Sequence, residues 1–208
     1  MINKKKLFPL LIVLMLIITS CTVKYMPVES QDVKVTDGFA VVKTKAWTFA
    51  IENKYWIKEP QNLTDFFTTF YVSITNRHKK EMEIGPSDIS LLDEEGNQFD
   101  VVLLDYIEQM LLPKQLDYLI ITNLEEDLIE TQEIFEDHRR ILDEWREAKK
   151  NLITHSFHFG KILPGAKKSG FIFFPKLASK NNSCQIIFHN NKINFIRGDV
   201  KKKEEEKE

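Results

Sequence analysis

The chain has 208 residues and a formal net charge of −2, with 43% hydrophobic and 29% charged residues. This composition supports a folded core in one or two domains and excludes a chain that is disordered as a whole. The near-neutral charge argues against a nucleic-acid-binding protein, so we expect no nucleic-acid partner. Two cysteines cannot form a disulfide scaffold, and seven glycines with seven prolines exclude collagen-like or low-complexity chains.

Residues 1–20 have the composition and order of a secretory signal peptide. Residues 4–6 are lysines, residues 7–18 form an apolar run broken only by Pro9, and two small residues follow. A helix of twelve residues would be about 18 Å long, which is too short for a hydrocarbon core of about 30 Å. We therefore expect the leader to be removed. A retained membrane anchor is the alternative, and Pro9 weakens it.

A cysteine follows the leader in the sequence Ile18-Thr19-Ser20-Cys21. This order of an aliphatic residue, two small residues and a cysteine resembles the lipobox of bacterial lipoproteins. The resemblance implies that the thiol of Cys21 is alkylated with diacylglycerol, that the chain is cut before Cys21, and that the new amine receives a fatty acid such as palmitate. Two acyl chains hold a protein stably at a membrane, whereas one holds it only marginally. An ordinary signal peptide with a chance cysteine is the alternative.

The resemblance to lipoproteins places the protein in the bacterial cell envelope, bound to the membrane by its lipid. In a Gram-negative cell, Thr22 rather than Asp after the cysteine implies the outer membrane, on its periplasmic or surface side. Cleavage removes three lysines and no acids, so the mature chain would carry a formal charge of −5. Cys184 would have no partner, and we interpret it as a small buried hydrophobe near the start of a strand. Residues 21–31 show little periodicity, and we expect them to contain the lipidated cysteine and a tether.

Two stretches of the mature chain alternate with the period of a β-strand. In the first stretch, Trp47, Phe49 and Ile51 share one face. In the second stretch, the shared face carries Phe66, Thr68, Phe70, Val72 and Ile74. Period two with aromatic and β-branched residues predicts strands that bury one face.

Turns separate further short strands along the chain. Residues 93–97 and 163–165 form two of these turns, and Gly96 stands in the first, where glycine adopts a positive φ at low cost. The Asn residues of 189–192 suit the left-handed conformation of a tight hairpin. Many short strands separated by turns favour an antiparallel sandwich or barrel. The further expected strands are 89–92, 157–159, 169–174, 185–188 and 193–196.

Residues 123–150 have the pattern of one long amphipathic helix. Asn123 can cap this helix, and Glu126 completes the spacing of a capping box. The predicted helix has about 27 residues and is about 40 Å long. The apolar residues 105–122, interrupted by Pro113, are expected to add one or two short helices against it. An apolar stripe follows the long helix at Leu128, Phe135, Leu142 and Trp145.

The predicted long helix also carries the charge imbalance of the mature chain. Residues 124–150 hold ten acids and five bases, and the rest of the mature chain holds equal numbers of each. A charge run is normally a solvated outer face, and this is the interpretation that we favour. The alternative is an acidic surface that binds a partner through Glu130, Glu133 and Glu144.

Three blocks of residues combine strands with characteristic turns. At 70–76 a strand ends in a polar Asn turn, at 91–96 there is a Leu-x-Asp-x-x-Gly turn, and at 164–170 a Pro-Gly-x-x-x-x-Gly turn precedes an aromatic strand. This arrangement resembles bacterial lipoproteins that have immunoglobulin-like domains of unknown function. The resemblance implies a mainly β fold, an immunoglobulin-like antiparallel β-sandwich over residues 32–200. It implies a fold and no activity.

A helical insert of about residues 105–154 departs from the lipoprotein pattern and interrupts the expected sandwich. Because the insert lies between the second and third blocks, the strands before and after it are expected to complete one sandwich. Long excursions between strands are tolerated, since the entropy of loop closure grows slowly with length. The tail 201–208 contains only charged residues and is expected to be disordered.

Motifs that carry catalysis are absent from the sequence. It contains no G-x-S-x-G, P-loop, G-x-G-x-x-G, H-E-x-x-H or CxxC pattern. His155 and His158 are three apart in an expected strand, so they would point to opposite faces, and a zinc pair is a weak alternative. The acids near Gly96 lack the spacing of a calcium loop. We expect no catalytic residue, no metal and no cofactor.

Two functions from different classes are consistent with these features. The first is a lipid-anchored, non-enzymatic interaction or structural module of the cell envelope, with the membrane and an envelope protein as partners. The second is an envelope enzyme or metal-dependent binding protein whose site lies between the insert and the sandwich. A polar, concave cluster of His and carboxylate there would favour the second function, and an exposed apolar groove beside the helix would favour the first. A sugar-binding platform of Trp47, Tyr55 and Trp56 is less favoured than packing in the core.

Overall fold

Two five-stranded antiparallel sheets form the main part of the computed structural model, which describes residues 24–60, 63–112 and 130–198. The predicted mainly β, antiparallel fold class is confirmed. The described helices are α1 (Leu63–Phe66), α2 (Leu104–Leu111) and α3 (Glu130–His155), and a 3-10 turn covers Pro86–Asp88. The described strands are β1 (Tyr25–Pro27), β2 (Lys34–Thr36), β3 (Phe39–Lys43), β4 (Trp47–Asn53), β5 (Phe67–Asn76), β6 (Met82–Ile84), β7 (Ile89–Asp93), β8 (Gln98–Asp100), β9 (Gly160–Ile162), β10 (Lys167–Pro175), β11 (Ser183–Phe188) and β12 (Asn191–Arg197).

The order of strands brings sequence-distant segments together in both sheets. Sheet A has the order β1-β12-β11-β7-β8, and sheet B has the order β10-β5-β4-β3-β2. The long strands β5 and β10 pair along their length, from Phe67 opposite Pro175 to Thr75 opposite Lys167. The strands β6 and β9 form a separate two-stranded ribbon. Strands before and after the helical segment therefore complete the same sheets.

One hydrophobic core joins the inner faces of both sheets. Sheet B contributes Phe49, Ile51 and Phe70, and sheet A contributes Phe188 and Phe195, all of them buried. The rings of Phe49 and Phe188 stack with their centroids 4.2 Å apart, and those of Phe70 and Phe195 meet edge to face at 5.2 Å. Side chains alternate between the two faces of a strand, so the period-two stripes of the sequence form this shared core.

Helices cover part of the outer face of sheet B. Phe171 and Phe173 of β10 belong to a second hydrophobic cluster, which is separate from the main core. This cluster also contains Ile107 of α2, Leu152 of α3 and Trp56, and all of these side chains are buried. Burying one large apolar side chain contributes about 1.5–3 kcal/mol to stability. The cluster therefore fixes α2 and the last turns of α3 to the sheet.

The segments on either side of the helices cover the free edge of β10. The amide of Val102 donates to the carbonyl of Phe173 at 2.8 Å, and the amide of Phe157 donates to the carbonyl of Phe171 at 2.7 Å. An uncovered edge strand presents unpaired backbone groups with which another chain can pair. The helical segment therefore leaves and rejoins the two-sheet body along a single strand, which it also protects.

The first strands begin earlier than the sequence pattern suggests. The expected tether at 21–31 is shorter in the structure, because Tyr25–Pro27 forms β1 beside β12 and Tyr25 is buried. A strand of three residues is too short for a periodic pattern, and its pairing with β12 decides its conformation. Phe66 does not share the inner face of β5, because it ends α1 and is exposed.

The end of the long helix and one hairpin also differ from the prediction. Helix α3 continues past Lys150 to His155, because Leu152 packs into the second cluster. His155 is therefore the last residue of a helix rather than part of a strand, which corrects the expectation for this histidine. In the β11–β12 hairpin the positive φ belongs to His189, at 50°, and not to an asparagine.

Several predictions fall on residues outside the described ranges. These are the signal peptide at 1–20, the lipidation of Cys21, the beginning of the predicted long helix at 123–129 and the disorder of the tail at 201–208. They stay predictions. Within the described ranges, no helix combines the length and the apolar character that a membrane span requires.

Candidate functional site

The predicted site residues are not brought together by the described structure. Cys21 precedes the first described residue, Lys24. Glu130 and Glu133 lie at the start of α3, and their side chains are outside the described part. Glu144 is exposed, and its carboxylate lies 4.0 Å from the guanidinium of Arg140 on the preceding turn. The acidic binding surface therefore stays a prediction.

Most charges in the described part of α3 face opposite charges nearby. Arg146 lies 3.0 Å from Asp143, and Lys150 lies 3.7 Å from Glu147. Pairs at these spacings stabilise an isolated helix by about 0.2–0.5 kcal/mol each. These pairs explain part of the charge run as local helix stabilisation, which favours the interpretation of a solvated outer face.

Helix α2 has an apolar side that extends beyond the sheet. Its residue Ile107 is buried in the second cluster, and Leu104 and Leu111 pack against that cluster. Tyr106 and Met110, together with Leu103 just before the helix, are exposed, and the exposed fraction of Tyr106 is 61%. Because residues three and four apart lie on the same side of a helix, these three side chains form one apolar flank. We call Leu103, Tyr106 and Met110 the α2 flank.

The junction between the helices and the two-sheet body is apolar. A cavity of about 100 Å³ lies there, with walls from 101–104, 157–159 and 171–173. His158 is the one titratable residue in that lining. Its Nε2–H donates to the carbonyl of Ile153 at 2.5 Å, so that nitrogen carries a proton and cannot act as a metal ligand in this conformation. Among the described residues, the lining of this cavity includes neither the polar cluster nor the carboxylates that an enzyme site between the insert and the sandwich would require.

A second, larger cleft opens beside the β2–β3 hairpin. Its volume is about 380 Å³, and its charged lining residues are Lys34, Lys43 and Asp32. Gln31 and Asn191 add amide groups. The cleft is open and polar, and its lining holds no histidine, cysteine or pair of carboxylates that could act as acid and base. The described part of this cleft can accommodate a polar group.

His155 and the acidic turn have structural partners. His155 lies against Trp56, with ring centroids 6.4 Å apart, and burial lowers the pKa of His155, with Lys58 as a second cause. Asp93 accepts hydrogen bonds from the amides of Glu95 and Asn97 at 2.9 and 2.8 Å. Among the described residues, no group of three His, Cys, Asp or Glu could hold a metal ion. Asp93 thus organises a turn, whose Gly96 has the predicted positive φ of 87°.

The aromatic residues suggested for a sugar-binding platform are used in packing. Trp56 is buried in the second cluster, and Trp47 packs edge to face on Phe188 with centroids 4.9 Å apart. A sugar stacks on an accessible ring face, so the burial of Trp56 shows that the platform hypothesis is wrong. Cys184 is a buried free thiol in β11, as interpreted from the sequence, and burial raises its pKa to about 12.

The exposed α2 flank was not predicted from the sequence. The signal was present in the apolar residues after 102, where Leu103, Tyr106 and Met110 recur at spacings of three and four. The pattern predicts an apolar side but cannot show how much of that side the sheet covers. The extent of coverage depends on where β10 and Trp56 lie, which is a property of the tertiary fold.

The fold and these surfaces define a mainly β protein of two antiparallel sheets with helices on one outer face. Comparisons with protein families, curated proteins and solved structures found no match to this chain.

Proposed function

We propose that this chain is a bacterial lipoprotein that acts in the cell envelope as a non-enzymatic interaction module. In this proposal residues 1–20 are a signal peptide, Cys21 carries the lipid, and the two sheets form an immunoglobulin-like sandwich. The order of positive residues, short apolar run, small residues and cysteine supports the lipid anchor. Two five-stranded antiparallel sheets around one aromatic core support the sandwich.

A long amphipathic helix is the second part of the proposal. The described helix α3 extends from Glu130 to His155, and we propose that it begins near Asn123. Ala148 and Leu152 are buried, whereas Arg139, Glu144 and other charged residues of α3 are exposed. This distribution supports one side that packs and one side that faces water.

The observation that carries the proposed interaction function is the exposure of the α2 flank. Large apolar side chains that share one side of a helix and remain accessible to water are typical of interaction surfaces. Tyr106 is the best anchor, because aromatic residues with a polar tip are enriched among the residues that dominate binding energy. The apolar junction cavity supports the same choice, since an enzyme site at that position would need polar groups.

The partner that fits the α2 flank is an envelope protein with an apolar patch bordered by basic residues. The apolar patch would cover Leu103, Tyr106 and Met110, and the basic border would face the acids of α3, including Glu130, Glu133 and Glu144. Charges at the rim of an interface mainly steer the approach of the partner, whereas buried apolar contacts hold it. The flank is therefore the primary determinant in this proposal, and the acids are secondary.

Co-purification from solubilised membranes tests the interaction, with the double variant Tyr106→Glu and Met110→Glu. A buried negative charge without a partner opposes association, so the variant should lose the partner that the wild type retains. The variant Leu163→Glu is the matched control, because Leu163 is similarly exposed but belongs to the turn before β10. Thermal unfolding should be unchanged in both variants, since exposed positions usually alter stability by less than about 0.5 kcal/mol. Retention of every co-purifying protein by the double variant would contradict the proposed surface.

The acidic side of α3 is tested separately by reversing charge at Glu130, Glu133 and Glu144. Weaker binding at higher salt and a slower association rate are expected if these acids steer the partner. Unchanged binding would show that they form only a solvated face.

The lipid anchor has its own test. Intact mass of the mature protein should include the mass of the lipid on Cys21, and Cys21→Ser should abolish membrane partitioning through acyl chains. An unmodified Cys21 in the mature protein would disprove the lipoprotein assignment.

A further inference from the structure

The beginning of the described chain is fixed to the two-sheet body. The Tyr25 amide donates to Asn53 Oδ1 at 2.8 Å, and the Tyr25 hydroxyl donates to the carbonyl of Asn181 at 3.0 Å. The amide of Gly198 donates to the carbonyl of Lys24 at 2.8 Å. Residue 24 is therefore a fixed point on the body and not part of a long tether.

The distance between this fixed point and the proposed lipid is short. Cys21 is three residues before Lys24, and three fully extended residues span at most about 11 Å. A lipid on Cys21 has its acyl chains in the bilayer and its thioether at the headgroup level. The end of the body that contains Lys24, which we call the near end, must then lie within about 11 Å of the membrane surface.

Two exposed apolar side chains belong to the near end. Ile57 and Phe66 have exposed fractions of 80% and 52%, and Ile57 is the most exposed large apolar residue among those described. Asn53 connects both to the start of the chain, since it accepts from the amide of Tyr25 and donates to the carbonyl of Thr69 at 2.9 Å. Ile57 follows Asn53 by four residues, and Phe66 precedes Thr69 by three.

The charges around these two side chains give no strong electrostatic preference. Lys54 and Lys58 lie in the same segment as Glu59 and Asp65, so the local charge is balanced. Isoleucine and phenylalanine gain free energy on leaving water for the interfacial region of a bilayer. An apolar contact with lipid therefore fits this end, and its strength should depend little on salt or on anionic lipid.

We propose that the near end rests on the lipid bilayer, with Ile57 and Phe66 inserted into the interfacial region beside the lipidated Cys21. This inference rests on the proposed lipidation. The contact would fix the orientation of the body, because an anchor at one point allows rotation, whereas an anchor and two side chains define a plane. The two-sheet body would then stand with its strands directed away from the membrane and its far end exposed to water.

The far end of the body supplies the matched control position. Leu163 is 59% exposed, and its turn is joined to the end of β5, where the amide of Gly165 donates to the carbonyl of Asn76 at 2.9 Å. Strand β5 has ten residues, so about 30 Å separates its two ends at about 3.3 Å per residue. A bilayer that touches Phe66 cannot also reach Leu163 in the proposed orientation.

Depth-dependent fluorescence quenching tests the proposal on the full lipidated protein. The single variants Ile57→Cys, Phe66→Cys and Leu163→Cys are labelled with an environment-sensitive fluorophore and placed in phosphatidylcholine vesicles that contain spin-labelled lipid. Cys184 is buried and its pKa is raised to about 12, so the folded protein should take up label only at the introduced cysteine. We expect a blue shift and a loss of fluorescence at positions 57 and 66, and neither change at position 163.

The outcomes separate this inference from the proposed function. The intact mass of each sample first establishes whether Cys21 is lipidated. In lipidated, vesicle-bound protein, unquenched fluorophores at positions 57 and 66, or equal quenching at all three positions, would overturn the inference and leave the lipid anchor intact. A mass without lipid would overturn the lipoprotein assignment and this inference together. Quenching that disappears in high salt or requires phosphatidylglycerol would overturn the apolar contact.

Discussion

Gly170 and Ser156 are in direct backbone contact at the point where helix α3 rejoins the sheets. A Cβ atom on Gly170 would overlap the carbonyl group of Ser156 and the amide nitrogen of Phe157. The same segment pairs with the neighbouring residue of β10, because the amide of Phe157 donates to the carbonyl of Phe171. The absence of a side chain at position 170 therefore allows the helical segment to lie against the edge of sheet B.

Replacement of Gly170 by alanine should destabilise the protein through this contact. The colliding atoms belong to the backbone, so relief requires movement of the Ser156–Phe157 segment away from β10 and loss of its hydrogen bond. We expect a loss of at least about 1–3 kcal/mol in the free energy of unfolding, the usual cost of overpacking. Urea unfolding measures the loss. Gly85→Ala is the matched control, since a Cβ there comes no closer than 3.7 Å to Asp88 Oδ2 and 3.8 Å to Ser87 Oγ. Equal stability of the two variants would contradict the prediction.

Asn76 should be the most sensitive polar residue of the described body. Its side chain is fully buried, donates to the carbonyls of Lys80 and Ile162 at 2.8 and 2.9 Å, and accepts from the amide of His78 at 2.9 Å. Asn76→Ala leaves these groups without a partner, and a buried unsatisfied group costs about 1–3 kcal/mol. Thermal unfolding of Asn76→Ala beside Asn190→Ala, an exposed residue of the β11–β12 turn, measures the difference. Similar melting temperatures would show that water replaces the lost bonds.

The strands of the main core were predictable because their burial is one-sided and periodic. Phe49 and Ile51 on β4, and Phe70, Val72 and Ile74 on β5, are buried as their alternation indicates. The turn at Gly96 was predictable for a similar reason, since this glycine has the expected positive φ, at 87°. In each case the local pattern and the tertiary structure require the same conformation.

Elements that depend on distant partners could not be predicted. Strand β1 has three residues and forms only because β12 is present beside it. Helix α3 continues through Leu152 because that side chain packs on Phe171 and Phe173 of a strand that follows it in sequence. The exposure of Tyr106 likewise follows from the part of α2 that the sheet leaves uncovered. Periodicity contains no information about these contacts.

Cys184 should be unreactive in the folded protein. Burial raises the pKa of its thiol to about 12, so the reactive thiolate is absent near neutral pH, and the side chain is shielded from reagents. Alkylation without reductant should label Cys184 only after unfolding, at a rate set by the opening of β11. Mass spectrometry of native and urea-unfolded samples measures the label. Labelling that requires a reductant would instead reveal a disulfide and contradict the interpretation of a free thiol.

The carboxylate of Asp93 should make a small contribution to the free energy of unfolding, and this contribution should be lost at acidic pH. The hydrogen bond from the Asn97 side chain, followed by those from backbone amides of the same turn, lowers the pKa of Asp93 below its ordinary value of 3.8. When the pKa of a carboxyl is lower in the folded state than in the unfolded state, the ionised carboxyl stabilises the fold. This stabilisation is complete above the pKa of the unfolded state and is lost as the pH falls through the pKa of the folded state. Urea unfolding at neutral pH and below pH 3.8 should therefore show a larger loss on acidification in the wild type than in Asp93→Asn. Glu83→Gln, which removes a carboxyl at an exposed position on β6, is the control. An equal loss of stability on acidification in the wild type and in Asp93→Asn would refute the prediction.

Truncation of apolar side chains along α3 should reduce the free energy of unfolding by different amounts, according to how deeply each side chain is buried. Leu152 is fully inside the second cluster, so Leu152→Ala should cost about 2–5 kcal/mol, the range for buried leucines. The sequence alone suggests a core loss of about 3–5 kcal/mol for Trp145→Ala. In the structure Trp145 is only half-buried, with the Lys149 ammonium 5.3 Å from the centre of its ring. Trp145→Ala should therefore cost less than Leu152→Ala. The reversal Glu144→Lys should cost less than either, because Glu144 is exposed and forms an exposed ion pair with Arg140. Urea unfolding of the three variants gives this order directly. An equal or larger loss for Trp145→Ala would show that the stripe is buried beyond the second cluster, against a surface that Leu152 does not touch.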